Sequence, residues 1–155
     1  QRTPFGKIGV ARLIVAEPPA AYARRPRLVV DASVLAAAVF AEPTLDDAVA
    51  LMRGRALCAP HLVDYELANV ALSKVRRKST TAAAAGSALE ALASLELDRH
   101  AIAPGAVLEL AVQYGLTAYD AAYLWLAGNL QAPLATFDAA LGAAARKHLG
   151  GSSAG

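Results

Sequence analysis

Apolar positions along the chain come in two textures: short unbroken runs, and longer stretches in which they recur every three or four residues. An unbroken run suits a strand covered on both faces, whereas the three-to-four period suits a helix burying one stripe. The runs at 28–31, 56–59, 101–103 and 133–136 therefore predict strands. The helical period predicts helices over 32–40, 44–54, 62–78, 104–114 and 117–130, a further one from Thr80 or Thr81 to 95, and a last one opened by Asp138 and closed at Gly150 and Gly151. Punctuation agrees with this division. Thr44 is a suitable N-cap with Asp46 and Asp47 in the turn that follows, Pro104 suits a first helical position, and Gly128 and Asn129 sit where the 117–130 helix should end. Strands that alternate with helices predict an α/β domain with a central parallel sheet and helices on both faces.

Residues 1–26 read as an arm of unassigned role. A strand at 10–15 is conceivable there, but Pro18, Pro19 and Pro26 interrupt any helix or central strand. The domain proper is expected over 27–149, with a flexible tail at 150–155. A chain of 155 residues is large enough for one core, and its 56% hydrophobic content supplies the material to fill it. Cys58 is the single cysteine, so no internal disulfide is available and a reducing compartment is favoured. The early apolar stretch at 8–16 is short and holds Arg12, unlike a secretory signal, and no run approaches the roughly 20 apolar residues of a membrane span. These features predict a soluble, cytoplasmic protein with no membrane partner. The formal charge of +2 decides little, but its distribution is informative. Arg24, Arg25 and Arg27 cluster before the first strand; Lys74, Arg76, Arg77 and Lys78 cluster at a helix end, where they either complement the helix dipole or form a rim for phosphates.

Four acids stand out by position. Asp31 ends the first strand and Asp138 follows the last, so each either caps the next helix or faces the crevice outside the strand ends, where open α/β sheets bind ligands. Ser33 and Thr136 place a hydroxyl two residues from each. Glu66 shares a helical face with Leu62 and Val70, and a carboxylate in an apolar stripe is costly unless paired or bound to a metal. Asn69, three residues on, could orient it. Asp120 aligns with Leu116, Tyr123, Leu124 and Ala127 and so faces the interior or a cleft, although the helix dipole alone also favours an acid there. Tyr119, Tyr123 and Trp125 read as packing rather than a base-stacking platform. Four carboxylates gathered at one sheet edge would repel one another unless neutralised, and a hard cation with oxygen ligands, Mg²⁺ or Mn²⁺, suits that need. His61, His100 and His148 have no mutual metal-ligand spacing, so a zinc site is not expected, and the sequence offers no glycine-rich phosphate loop or nucleophile elbow.

The ordered segments VVDASVL, LVDYELANV, TAYDAAYLWLA and LATFD resemble the acidic motifs of PIN-domain ribonucleases, particularly the VapC-type toxins of bacterial toxin–antitoxin pairs. The resemblance spans 27–149 and implies a PIN-like fold. Asp31, Glu66, Asp120 and Asp138 then take the place of the family's catalytic and metal-binding acids, with Ser33 and Thr136 as companion hydroxyls. It further implies an endoribonuclease that uses Mg²⁺, with Mn²⁺ as the other candidate, and cuts RNA to inhibit translation or growth. Arg76 and Arg77 are the candidate RNA contacts, and a homodimer and a cognate antitoxin are the expected protein partners. Such toxins usually begin almost at the first strand, so the arm is a departure. The alternative is a non-catalytic, metal-stabilised module that binds RNA or protein.

Overall fold

A computed structural model describes residues 25–150. The expected arm therefore lies almost wholly outside the described residues, as do the strand at 10–15, Arg24 and the tail after Gly150. In chain order the elements are β1 (Arg27–Val30), α1 (Ala32–Val39), α2 (Leu45–Met52), β2 (Ala56–Pro60), α3 (Val63–Arg76), α4 (Ala82–Ala93), β3 (Leu97–His100), α5 (Pro104–Tyr114), α6 (Ala118–Leu130), β4 (Leu134–Ala135) and α7 (Ala139–Gly150). The strands form a parallel sheet in the order β3-β2-β1-β4. Leu28, Val29 and Val30 are consecutive and all buried, as are Leu57, Cys58 and Ala59, so helices cover both faces of β1 and β2. This is the α/β domain that the alternating pattern predicts.

Strand order positions the site. From β1 the chain steps outward through β2 to β3, then returns to lay β4 on the other side of β1. β1 and β4 thus flank the switch point of the sheet, and the crevice beyond their carboxyl ends is where this architecture exposes backbone and side chains to a ligand. Registers Val29 to Leu134 and Val30 to Ala135 bring Asp31 and Thr136 out together at that edge.

The expected strand at 101–103 is wrong. The third strand is Leu97–His100, LDRH, of which Leu97 alone is buried, and 101–103 only lead into Pro104 at the start of α5. An edge strand has one neighbour and needs one apolar anchor, so a charged strand passes unnoticed beside a more apolar connection. Helix α6 ends at Leu130, as its pattern predicts, with Gly128 and Asn129 in its last turn, and the cap is Gln131, whose left-handed φ of 50° turns its N–H back to the Ala127 and Gly128 carbonyls. Thr81 and Thr117 cap their helices through the side chain, accepting from Ala84 N and Asp120 N at 3.1 Å. Thr44 makes no such bond, so α2 starts without that support. Among the described residues, no helix is long and apolar enough to cross a membrane.

Candidate active site at the carboxyl edge of the sheet

Asp31 is the buried member of the site, 5% exposed, and its charge is met entirely by short contacts. Its Oδ1 accepts from Ser33 N at 3.0 Å, Val34 N at 3.3 Å and Ser33 Oγ at 2.5 Å, and its Oδ2 accepts from Thr136 Oγ1 at 2.5 Å. The backbone bonds make it the N-cap of α1, a role contributing about 1 kcal/mol. The Thr136 bond does something a cap does not need: it ties the end of β1 to the end of β4 across the switch point. Capping and site-building are therefore both true of this acid. The same hydroxyls extend the tie, because Ser33 Oγ accepts from Phe137 N at 3.0 Å and Thr136 Oγ1 accepts from Asp138 N at 2.9 Å.

Asp138 is exposed and caps α7, its Oδ1 accepting from Leu141 N at 2.8 Å. Glu66, in the first turn of α3, is half-buried and accepts from Tyr123 Oη at 2.6 Å. Asp120, in the first turn of α6, is likewise half-buried. Desolvation raises the Glu66 carboxyl above its ordinary range; the Tyr123 hydroxyl pulls it down, and the charges of Asp120 and Asp31 push it up again. Desolvation also raises Asp120, helped by the charges of Asp138 and Asp31 and opposed by the Thr117 hydroxyl. Each acid thus feels others from different elements, which is the electrostatic signature of convergence.

Tyr123, expected only as packing, also holds the Glu66 carboxyl in place. Its ring is buried at 1% exposure, and burial together with the Glu66 carboxylate holds its phenol strongly in the protonated, donating form. The signal was present: a tyrosine on the buried stripe of α6 must find a partner for its hydroxyl. Asn69, one turn beyond Glu66, is exposed. Arg76 and Arg77 are exposed at the far end of α3, ten residues from Glu66 and so roughly 15 Å along the axis. The structure gathers the four acids and the two hydroxyls at one edge and leaves the arginines away from it.

An all-oxygen donor set suits Mg²⁺ or Mn²⁺, and the raised Glu66 and Asp120 carboxyls mark negative charge that a cation would relieve. No three of the four acids bring donor atoms within 4.8 Å of one another; among the described residues that closer grouping belongs to Cys58, Asp98 and His100. Wider spacing is compatible with Mg²⁺, which keeps several of its waters. Two clefts, of about 670 Å³ beside Gly128, Gln131 and His148 and about 710 Å³ beside Val39, Met52 and Leu95, lie away from the acids. Their size says nothing about the chemistry at the sheet edge.

The family profile of the PIN domain matches residues 28–147. The chain belongs to the PIN-domain family. None of the curated proteins compared matches it. Its structure is similar to the crystal structure of PAE2754 from Pyrobaculum aerophilum, with a TM-score of 0.63 and 29% identity over 84% of this chain and 92% of that one. PIN domains are generally metal-dependent nucleases, and the acids of this PIN domain stand where the sheet topology places a ligand crevice.

Proposed function

We propose that this PIN domain is a Mg²⁺- or Mn²⁺-dependent endoribonuclease, and that it acts in the cytoplasm as the toxin of a toxin–antitoxin pair. The observation that carries the nuclease reading is the convergence of Asp31, Glu66, Asp120 and Asp138 from four different elements on the edge beyond β1 and β4. Asp31, Asp120 and Asp138 would hold the cation, with Glu66 as a further ligand or as the group that positions a bound water. The ion, when bound, supplies a water of lowered pKa and offsets charge that develops on the phosphodiester.

The remaining work falls to the chain itself. Ser33 and Thr136 donate to Asp31 and fix the orientation of its two oxygens, leaving the carboxyl group little rotational freedom to lose on binding. Tyr123 fixes Glu66 and favours its ionised form, so Glu66 is ready to accept a proton from the attacking water. Asp138, exposed and with Oδ1 on the Leu141 amide, lies on the side from which a polynucleotide approaches.

The test is cleavage of a structured-RNA pool by the purified chain with Mg²⁺, Mn²⁺ or chelator, beside Asp31→Asn and Asp120→Asn. Metal-dependent cuts lost in both variants support the proposal. Intact RNA with either metal, from folded protein, favours the non-catalytic binding module instead. The toxin role is tested by growth arrest on expression and by its reversal with a co-expressed antitoxin. A homodimer is part of the proposal, supported by Leu108 and Val112, which stand exposed four residues apart on α5. A monomer in sedimentation across working concentrations would remove that part.

A further inference from the structure

Away from the acids, the β2–β3 edge carries a second group of donors with different chemistry. Cys58 is paired in register with Asp98, and Pro60 with His100. Side chains alternate along a strand, so Cys58, Asp98 and His100 project from the same face of the sheet. One donor atom from each lies within 4.8 Å of the other two. Cys58 is buried at 1% exposure, whereas the Asp98 side chain is 68% exposed, so the group runs from the core to the surface.

The His100 ring shows how the group is aimed. Its Nε2 stands 3.0 Å from Asp98 Oδ2, yet this buried nitrogen has no hydrogen-bond partner, because the carboxylate lies off its bonding axis. A hydrogen bond needs the acceptor on that axis. Two ligands of one tetrahedral ion instead need their axes to meet at a point between them, which for Zn²⁺ puts nitrogen and oxygen about 3.4 Å apart. The pair makes no hydrogen bond, and its 3.0 Å separation is somewhat shorter than the zinc-bridged distance.

We propose that Cys58, Asp98 and His100 form a zinc site, fastening edge strand β3 to β2, separate from the acids beyond β1 and β4. A thiolate and a carboxylate neutralise the dication, the imidazole suits the same borderline metal, and a fourth position is left to water. Mg²⁺ is excluded from this donor set by the sulfur, so the two sites select different ions. Binding displaces the thiol proton, and the ion adds a side-chain link between two strands paired through their backbones.

The experiment is a Co²⁺ titration of the full chain, reduced, followed by absorbance. Cys58 is the single cysteine of the sequence, so any sulfur-to-cobalt charge-transfer band reports on this site alone. The expected result is a band that saturates at one equivalent, disappears when Zn²⁺ is added, persists in Asp31→Asn and is lost in Cys58→Ser. Asp98→Asn and His100→Gln, on the edge strand, keep the test valid should Cys58→Ser misfold; each should weaken Co²⁺ binding by about tenfold or more, beyond what loss of a merely supporting partner costs. Folded wild-type protein without the band, or Co²⁺ affinity unchanged in both edge-strand variants, overturns the site. Neither outcome depends on whether RNA is cut, and Cys58→Ser that folds should cleave RNA as the wild type does.

Discussion

The two sides of the sheet are built on opposite plans. At the β1–β4 side the strands are apolar and the chemistry stands just beyond their ends: Asp31, Thr136 and Asp138 lie past the last paired residues and are joined by hydroxyl bonds. At the β3 side the strand itself is polar, and Asp98, Arg99 and His100 set polar side chains along its length with a single apolar anchor at Leu97. The contrast teaches that a parallel sheet offers two kinds of place for polar groups. Just past the central strand β1 a polar group can be buried and rigidly held, as Asp31 is; along the edge strand β3 they remain half in water, where pairing contributes less.

If that contrast is right, the largest effect belongs to Asp31. Asp31→Asn should lower metal-dependent RNA cleavage by about 100-fold or more while the fold persists, since the amide oxygen can still cap α1. Cleavage near the wild-type level, measured on the same RNA pool, would break the comparison at once. Next comes Tyr123→Phe, which removes a hydrogen bond from a buried phenol to a half-buried carboxylate and should cost about 1.5–3 kcal/mol in denaturant melts. Because that bond lowers the Glu66 carboxyl, its loss should move the acid limb of the pH–cleavage profile upward; an unmoved limb would reduce Tyr123 to packing alone.

The third effect is linkage. Glu66 and Asp120 titrate above their ordinary values of 4.5 and 3.8, so the folded chain keeps protons that the unfolded chain releases. Stability without metal should therefore fall as pH rises from those ordinary values through the raised ones. Mg²⁺ should restore it, with a clear rise in melting temperature at about pH 7.5 and little at about pH 4.5. An equal rise at both would place the ion elsewhere. The smallest effect is on the other side: Arg99 binds Asp64 through Nε at 2.7 Å, but both side chains are partly exposed, so Arg99→Gln should cost less than about 1 kcal/mol.

The same contrast explains what could be read from the sequence. Apolar runs such as 28–30 and the helical stripes around Glu66 and Asp120 are set by burial, and burial leaves a periodic trace, so the alternating fold and the four acids were visible as patterns. Strand β3 left no such trace. LDRH carries one buried residue, and only its pairing with β2, known after folding, distinguishes it from a loop. The Tyr123 to Glu66 bond joins residues 57 apart, and the Cys58, Asp98 and His100 group depends on register between strands. Contacts of that kind are a product of topology, and spacing along the chain does not encode them.

The bond from Thr136 to Asp31 joins residues 105 apart in sequence, and this has a consequence for timing. Synthesis proceeds from the amino terminus, and pairings between distant segments wait until both exist. β1, β2 and β3 can assemble while β4 has yet to be made, leaving one side of β1 open and Asp31 without its Thr136 partner. Translation of the last strand then closes the edge and brings in Thr136 and Asp138 in one step. A chain halted before Pro133 would hold most of the sheet and no closed acid cluster, so the cluster takes shape only once β4 has been made.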